Sequence, residues 1–385
     1  VKTLLLNYVY HSPVGHTVEA LRYTKGLATA NPDVEVHVAL SDYGASELTQ
    51  GCPWIAGTYP IRLTDFQDPR SGSHALDHLP KDWDYIIGDD LEAINEVFDP
   101  AYYLPQELVT NAQLRRYFEQ TSATLNARLG KGTIGHPRQF PAGLGYLPQA
   151  QVALSIPATN RLFADRYAHD GPKICILLGG SDGYYRYPDV SSWIDIIAAL
   201  RQSFHGVRFY LTGVRKSGVD RTYTAGYSDQ AIEEILSSGP DVVDCYDIGL
   251  WNQIALLETC GAFLSPHTGF GFLAPCVGTP WLTISGGHWP EYFFNHVPFY
   301  SVFPDNPEFP YRAKLYPRGS VSKLPCMRSE NLDRKIPEIV EAMGLLMSDD
   351  FTYEAAVVRH RDNIARANID RRFVPQPTDP FLASF

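Results

Sequence analysis

The chain has no excess of positive charge: 32 Lys and Arg stand against 43 Asp and Glu, a formal net charge of −11. A nucleic-acid binder needs a basic stripe that follows the phosphates, and none is found, which argues against DNA or RNA as a partner. The chain also lacks an apolar run long enough to cross a bilayer, so no integral membrane segment is expected. Its first residues, Val1-Lys2-Thr3-Leu4-Leu5-Leu6, show none of the charged start, apolar centre and cleavage site of a secretion signal, so a cytoplasmic location is expected. Cysteine pairs at metal or redox spacing are missing as well. Cys52, Cys175, Cys245, Cys260, Cys276 and Cys326 are scattered, several within apolar runs, as suits buried reduced thiols rather than disulfides or zinc ligands. No metal ligand set is read from the chain. Neither of its Gly-rich loops has the G-x-G-x-x-G spacing of a nicotinamide dehydrogenase.

What the chain does have is two series of alternating strand and helix signals. At 385 residues it exceeds what one core usually serves. In the first half, Thr3 to Val9 is a short apolar run, followed by the loop His11-Ser12-Pro13-Val14-Gly15-His16 and a helical spacing from Thr17 to Leu27. Val34 to Leu40 then alternates as a strand, and Trp83 to Gly88 reads as another that ends on Asp89-Asp90. Strand, helix, strand in so short a span builds a parallel sheet, with its site at the C-terminal strand ends. Residues 51–80, rich in Gly, Pro, Asp and Ser, read as long loops, and 128–150 are also Gly- and Pro-rich, which places the inter-domain connection near 150–172.

The second series opens with the strand Ile174 to Leu178 and the loop Gly179-Gly180-Ser181-Asp182-Gly183. It continues through a helix from Trp193 to Phe204, a strand from Val207 to Thr212, a helix from Asp229 to Ser237, the strand Val242-Val243-Asp244 and a helix from Leu250 to Cys260. It culminates in Phe263-Leu264-Ser265-Pro266, the turn His267-Thr268-Gly269-Phe270-Gly271, a short helix and the strand Pro280 to Ile284. A turn of small residues at a helix N-terminus offers backbone N–H groups and a dipole that favour an anion, most often a phosphate.

In order and spacing, the blocks at Ile174–Gly180, Phe209–Gly213, Trp251 and Ser265–Gly287 resemble the heptosyltransferase-like (family 9) group of GT-B glycosyltransferases. Its motif is an Asp, a Ser or Thr, a Gly, two variable residues, a His, then Leu-Ala. Thr268, Gly269, Leu273, Ala274 and the following Gly278-Thr279-Pro280 keep it, whereas His267 replaces the Asp and Phe272 the His. The resemblance implies an α/β fold of two Rossmann-like βαβ domains facing across a cleft. Residues 1–155 would form the acceptor-binding domain, 156–172 a linker, and 173–345 the nucleotide-sugar-binding domain. A helical tail, 346–385, would pack back on the first domain.

It further implies a metal-independent, inverting transfer of a sugar from a nucleotide-sugar donor to a hydroxyl of a small or carbohydrate acceptor. The nucleotide sugar is a substrate, and no cofactor is implied. Gly15-His16 is similar to the Gly-His loop of glycosyltransferases in which a histidine is the general base. His16 is therefore the candidate base, paired with Asp89 or Asp90 so that one ring nitrogen is fixed. The plainer alternative is that Gly15-His16 only starts a helix. His11 is the alternative base and, with Gly15, an acceptor-side candidate.

For the donor, Gly179, Gly180 and Ser181 allow close approach to a phosphate or ribose, and Arg186 can offset diphosphate charge. Thr268, Gly269 and Phe270 are candidates for the diphosphate, and His267 for a phosphate or sugar hydroxyl, or as a turn cap only. Tyr246 is a candidate for the base, or else a core tyrosine. His288 and Glu291 are candidates for the sugar hydroxyls, or belong to a rim loop. Aromatic clusters at Tyr184-Tyr185, Tyr292-Phe293-Phe294 and Phe299-Tyr300 read as loop residues able to stack on sugars. Two other readings stay open, a sugar-nucleotide epimerase of the same fold and a non-catalytic carbohydrate-binding relative.

Overall fold

The computed structural model describes residues 1–9, 14–62, 76–88, 130–135, 140–180, 187–215, 224, 226–284, 295–304 and 332–367, with the backbone alone for 131–135. The chain divides into two compact units, one running from Val1 to Ser155 and the other beginning at Ile156.

The first unit is built on a five-stranded parallel sheet of β1 (Lys2–Tyr8), β2 (Val34–Ser41), β3 (Ile55–Ile61), β4 (Asp82–Gly88) and β5 (Lys131–Gly135), in the order β3-β2-β1-β4-β5. Helix α1 (Val14–Ala30) connects β1 to β2. Leu4, Leu5 and Leu6 of β1 are fully buried, as expected of a central parallel strand covered on both faces. β1 is followed by a neighbour on one side and, after β3, by β4 on the other. That reversal is a topological switch point, where crossovers diverge and leave a crevice outside the strand ends.

β3 corrects the expectation of long loops over 51–80, and β5 forms within the Gly- and Pro-rich stretch 128–150. Both are edge strands, and Gly57 and Pro60 hide the periodicity of β3. Pro60 is tolerated there because an edge strand need not donate on both sides.

The second unit holds a six-stranded parallel sheet of β6 (Lys173–Leu177), β7 (Arg208–Gly213), β8 (Val242–Tyr246), β9 (Ala262–Pro266), β10 (Trp281–Ile284) and β11 (Phe299–Val302). Its order is β11-β10-β9-β6-β7-β8, which is the 3-2-1-4-5-6 arrangement of a doubly wound Rossmann sheet. Its connections include α3 (Val190–Ser203), α4 (Asp229–Leu236) and α5 (Leu250–Glu258), within a residue or a turn of the sequence expectation. Local signals explain two of the starts: Asp189 accepts from the Ser192 amide at 2.9 Å and Ser228 from the Ala231 amide at 3.2 Å. The core gathers Trp193, Phe209, Leu211, Ile232 and Leu264 with α7 (Ile336–Leu346).

Residues 156–172, read as a linker, contain α2 (Ala158–Ala164). Arg161 holds it to α5 through two hydrogen bonds of 2.8 Å to Glu258. Phe299 and Tyr300, expected in a loop, lie in β11 and are buried. The remaining clusters, Tyr184-Tyr185 and Tyr292-Phe293-Phe294, fall outside the described residues.

The tail helix α8 (Tyr353–Arg366) starts where Thr352 accepts from the Ala355 amide at 3.3 Å. Tyr353, Ala356 and Val357 pack with Phe299 of β11, so the described part of the tail is held by its own unit. The same face carries His360, buried between the edges of Phe299 and Phe303.

Burial pushes the His360 imidazole down to about 3 from its usual 6.5. The unfolded chain therefore binds a proton at His360 below about 6.5 that the folded chain refuses. This stability is complete above that pH and is lost as pH falls toward 3. Between pH 7 and pH 5, urea unfolding of the wild type should lose about 2 kcal/mol more than that of His360→Leu. Parallel pH dependences would contradict this.

Candidate functional site

At the switch point of the second unit, β6 lies beside β9, and each strand is followed by a Gly-rich or small-residue sequence. A Cβ added to Gly180 would stand 3.2 Å from Thr268 Cγ2 and 3.2 Å from the Tyr187 hydroxyl. The two segments singled out from the sequence are thus in contact, and it is the strand order that joins them. Gly179 is equally confined, its missing Cβ lying 2.8 Å from the Tyr187 ring and 3.1 Å from that of Tyr227.

Tyr227 anchors this loop to the core. Its hydroxyl accepts from Trp193 Nε1 at 2.9 Å and donates to the Pro188 carbonyl, with the Leu178 carbonyl 3.1 Å away. Burial raises its phenol well above the usual tyrosine range, so it stays a neutral strut. Neither Tyr187 nor Tyr227 was singled out from the sequence, and only their positions flanking α3 and α4 hint at the role.

The turn after β9 is tighter than the sequence suggests. Gly269–Phe272 forms a single 3₁₀ turn, and α6 (Leu273–Cys276) adds four residues. Thr268 is buried and caps the turn, its Oγ1 accepting from the Gly271 amide at 3.2 Å. So short a helix carries little dipole, and the anion expected from the sequence would depend on the convergence of two backbone loops. Gly271 has a packing reason of its own, since a Cβ there would collide with the Trp281 indole. Phe272 stands edge-on to both Trp281 and His267, with centroids 5.6 Å apart in each case, and Phe270 packs on Phe263 at 5.7 Å. The imidazole of His267 is thus exposed at the mouth of the turn with an aromatic beneath it.

Tyr246, a candidate for the base, is buried in the core of the unit and packs against the α-carbon of Gly213. Burial raises its phenol, opposed by the Arg215 guanidinium 5.4 Å from its ring centre. Its placement is that of a core tyrosine, and the open features of that strand end are Asp247 and Gly249, both at positive φ. Arg215 is fully engaged, donating to Glu233 at 2.7 Å and to Asp244 at 2.5 Å, with its amide on Asp247 at 3.1 Å.

In the first unit, Gly15 and His16 lie in the first turn of α1, which begins at Val14. This corrects the expected loop: three residues placed before the helix belong to it. His16 follows β1 at the switch point between β1 and β4. Its Nδ1 is 3.1 Å from Glu19 Oε2, an i,i+3 contact on the helix. Sequence reading missed Glu19, although the spacing His-x-x-Glu was its signal. Asp84 is turned to the other end of the sheet, where it accepts from the Thr3 amide at 2.8 Å. His11, Asp89, Asp90, Ser181, Arg186, His288 and Glu291 lie outside the described residues. The five described cysteines, all but Cys326, are buried free thiols.

With the sheets and switch points established, the solved structures that match are informative. The E. coli ADP-heptose LPS heptosyltransferase II is 14% identical with a TM-score of 0.53, over 90% of this chain and 98% of that one. A family 9 glycosyl transferase from Veillonella parvula is 10% identical with a TM-score of 0.57, over 90% and 97%. The fold is GT-B. The E. coli heptosyltransferase WaaC, solved with ADP-2-deoxy-2-fluoro heptose, is 14% identical at a TM-score of 0.51 over 87% and 99%. No protein-family model and no curated protein matches this GT-B chain at the level of sequence. Among its described residues no helix is long and apolar enough to cross a membrane, and no group of three or more His, Cys, Asp or Glu is arranged to hold a metal ion.

The packing around the two loops has a direct consequence. Gly271→Ala should destabilise the GT-B chain by about 1–3 kcal/mol, because the indole of Trp281 must move. Gly180→Ala should cost less, since its neighbours need give only a few tenths of an ångström. Denaturant unfolding of the two variants checks the order, and the reverse ranking would contradict it.

Proposed function

We propose that this chain is a glycosyltransferase that moves a sugar from a nucleotide-sugar donor to a hydroxyl of a small or carbohydrate acceptor, with inversion and with no metal in the step. The observation that carries the reading is the contact of Gly180 with Thr268 at the switch point of the second unit. The Gly179-Gly180-Ser181 loop and the Thr268-Gly269-Phe270 turn hold the donor diphosphate through backbone groups that approach closely because two residues lack side chains. Arg186 offsets the charge on the leaving group, and His267, His288 and Glu291 meet the sugar. An adenine nucleotide is the first donor to test, because the matching E. coli protein is an ADP-heptose LPS heptosyltransferase and WaaC was solved with an ADP-sugar analogue.

The first unit binds the acceptor, with Gly15 and His11 as acceptor-side groups and His16 as the base. The imidazole takes the proton of the acceptor hydroxyl as that oxygen bonds to the anomeric carbon. The bond from that carbon to the diphosphate breaks, and the nucleoside diphosphate leaves with the electron pair. General-base catalysis of this kind contributes about 10²–10⁴-fold.

The test is an incubation of the chain with ADP-, UDP-, GDP- and dTDP-sugars, with and without a mixed set of hydroxylic acceptors. Glycosylated acceptor and released nucleoside diphosphate are expected with one donor class, and His16→Asn should lower turnover by about 10²-fold or more. Isomerised donor formed without acceptor would contradict the transferase reading in favour of an epimerase. A His16→Asn variant altered only in affinity would favour a binding protein.

A further inference from the structure

Sequence reasoning pairs His16 with a carboxylate at the end of β4, but a different carboxylate stands against the ring. His16 is the third residue of α1, and its side chain is 34% exposed. Glu19, one turn on, is only 11% exposed and places Oε2 at 3.1 Å from Nδ1. An ionised carboxylate only accepts hydrogen bonds. Against an ionised Glu19, Nδ1 must be the donor in this contact, and the neutral ring then has its lone pair on Nε2. Arg22, buried as well, follows Glu19 at the same helical spacing, so His16, Glu19 and Arg22 form one line of ionisable groups along α1.

The helix itself supplies what a dyad requires. Both residues sit on one rigid turn, so the ring orientation depends on neither a loop nor a distant strand. The first turn of a helix is also the positive end of its dipole, which disfavours a cation there. A nearly buried carboxylate beside the ring opposes that field at short range and with little screening by water.

We infer that Glu19 is the positioning residue of His16: it holds the imidazole as the Nδ1–H tautomer, directs the basic Nε2 toward the acceptor hydroxyl and stabilises the imidazolium formed in transfer. The inference rests on the proposed role of His16 as base. When Nε2 takes the hydroxyl proton, the proton on Nδ1 stays in place and Glu19 remains ionised. Nothing else is consumed or released.

The test uses the full chain labelled with ¹⁵N-histidine, with the His16 signals assigned by their loss in His16→Asn. At a pH where the ring is neutral, the wild type should show predominantly the Nδ1–H tautomer and Glu19→Ala predominantly Nε2–H. A wild-type ring that is mainly Nε2–H overturns the inference without recourse to any variant. In the transfer assay, Glu19→Ala should lower turnover about tenfold or more and leave nucleoside diphosphate binding unchanged. Glu19→Gln, which keeps an acceptor but no charge, should fall between. Full turnover in Glu19→Ala with His16→Asn inactive overturns the inference alone. Wild-type turnover in His16→Asn overturns the base reading and the inference with it.

Discussion

The close approach of two backbone loops at the centre of the second sheet is the constraint on which the candidate site depends. Gly180 and Thr268 belong to segments almost ninety residues apart in sequence, and they meet because β6 and β9 are hydrogen-bonded neighbours. The order of strands reverses there, so the helices that follow diverge and the strand ends remain accessible to a ligand. The Tyr227 hydroxyl, spanning the Trp193 indole and the carbonyls of Leu178 and Pro188, fixes one wall to the core. The Thr268 cap and the Trp281 indole, which lies directly over Gly271, fix the other.

The second unit was largely legible because most of its strands are apolar runs closed by Gly or by a helix cap. Val242-Val243-Asp244 and Phe263-Leu264-Ser265-Pro266 are examples, found within a residue or two of β8 and β9. The edges of the first sheet were not legible. β3 carries Gly57 and Pro60, β5 is Lys131-Gly132-Thr133-Ile134-Gly135, and both look like turns until a neighbour pairs with them. β11 failed for the opposite reason: Phe299 and Tyr300 are aromatic enough to suggest a ligand surface, yet they fill the core. At the site, the sequence pattern located the loops but not what holds them, since Tyr187 and Tyr227 act through three-dimensional contacts that no local spacing encodes.

The two departures from the family 9 motif acquire a physical meaning. Phe272, standing where that motif has His, is one member of an aromatic trio with His267 and Trp281. An imidazole shifts to the start of the turn and a ring fills its former place. Polarity at this strand end is rearranged rather than lost. In the first unit the helix begins early and brings its own carboxylate, so His16 and Glu19 meet within a single turn of α1.

Calorimetric titration of the full chain with ADP, UDP, GDP and dTDP tests the central claim most directly, that the two loops form a nucleoside diphosphate site. One of the four should bind saturably at one site per chain, and Gly180→Leu, which would project into the contact with Thr268, should abolish that binding while the variant remains folded. No heat of binding from any of the four, or equal affinity in Gly180→Leu, would contradict the account.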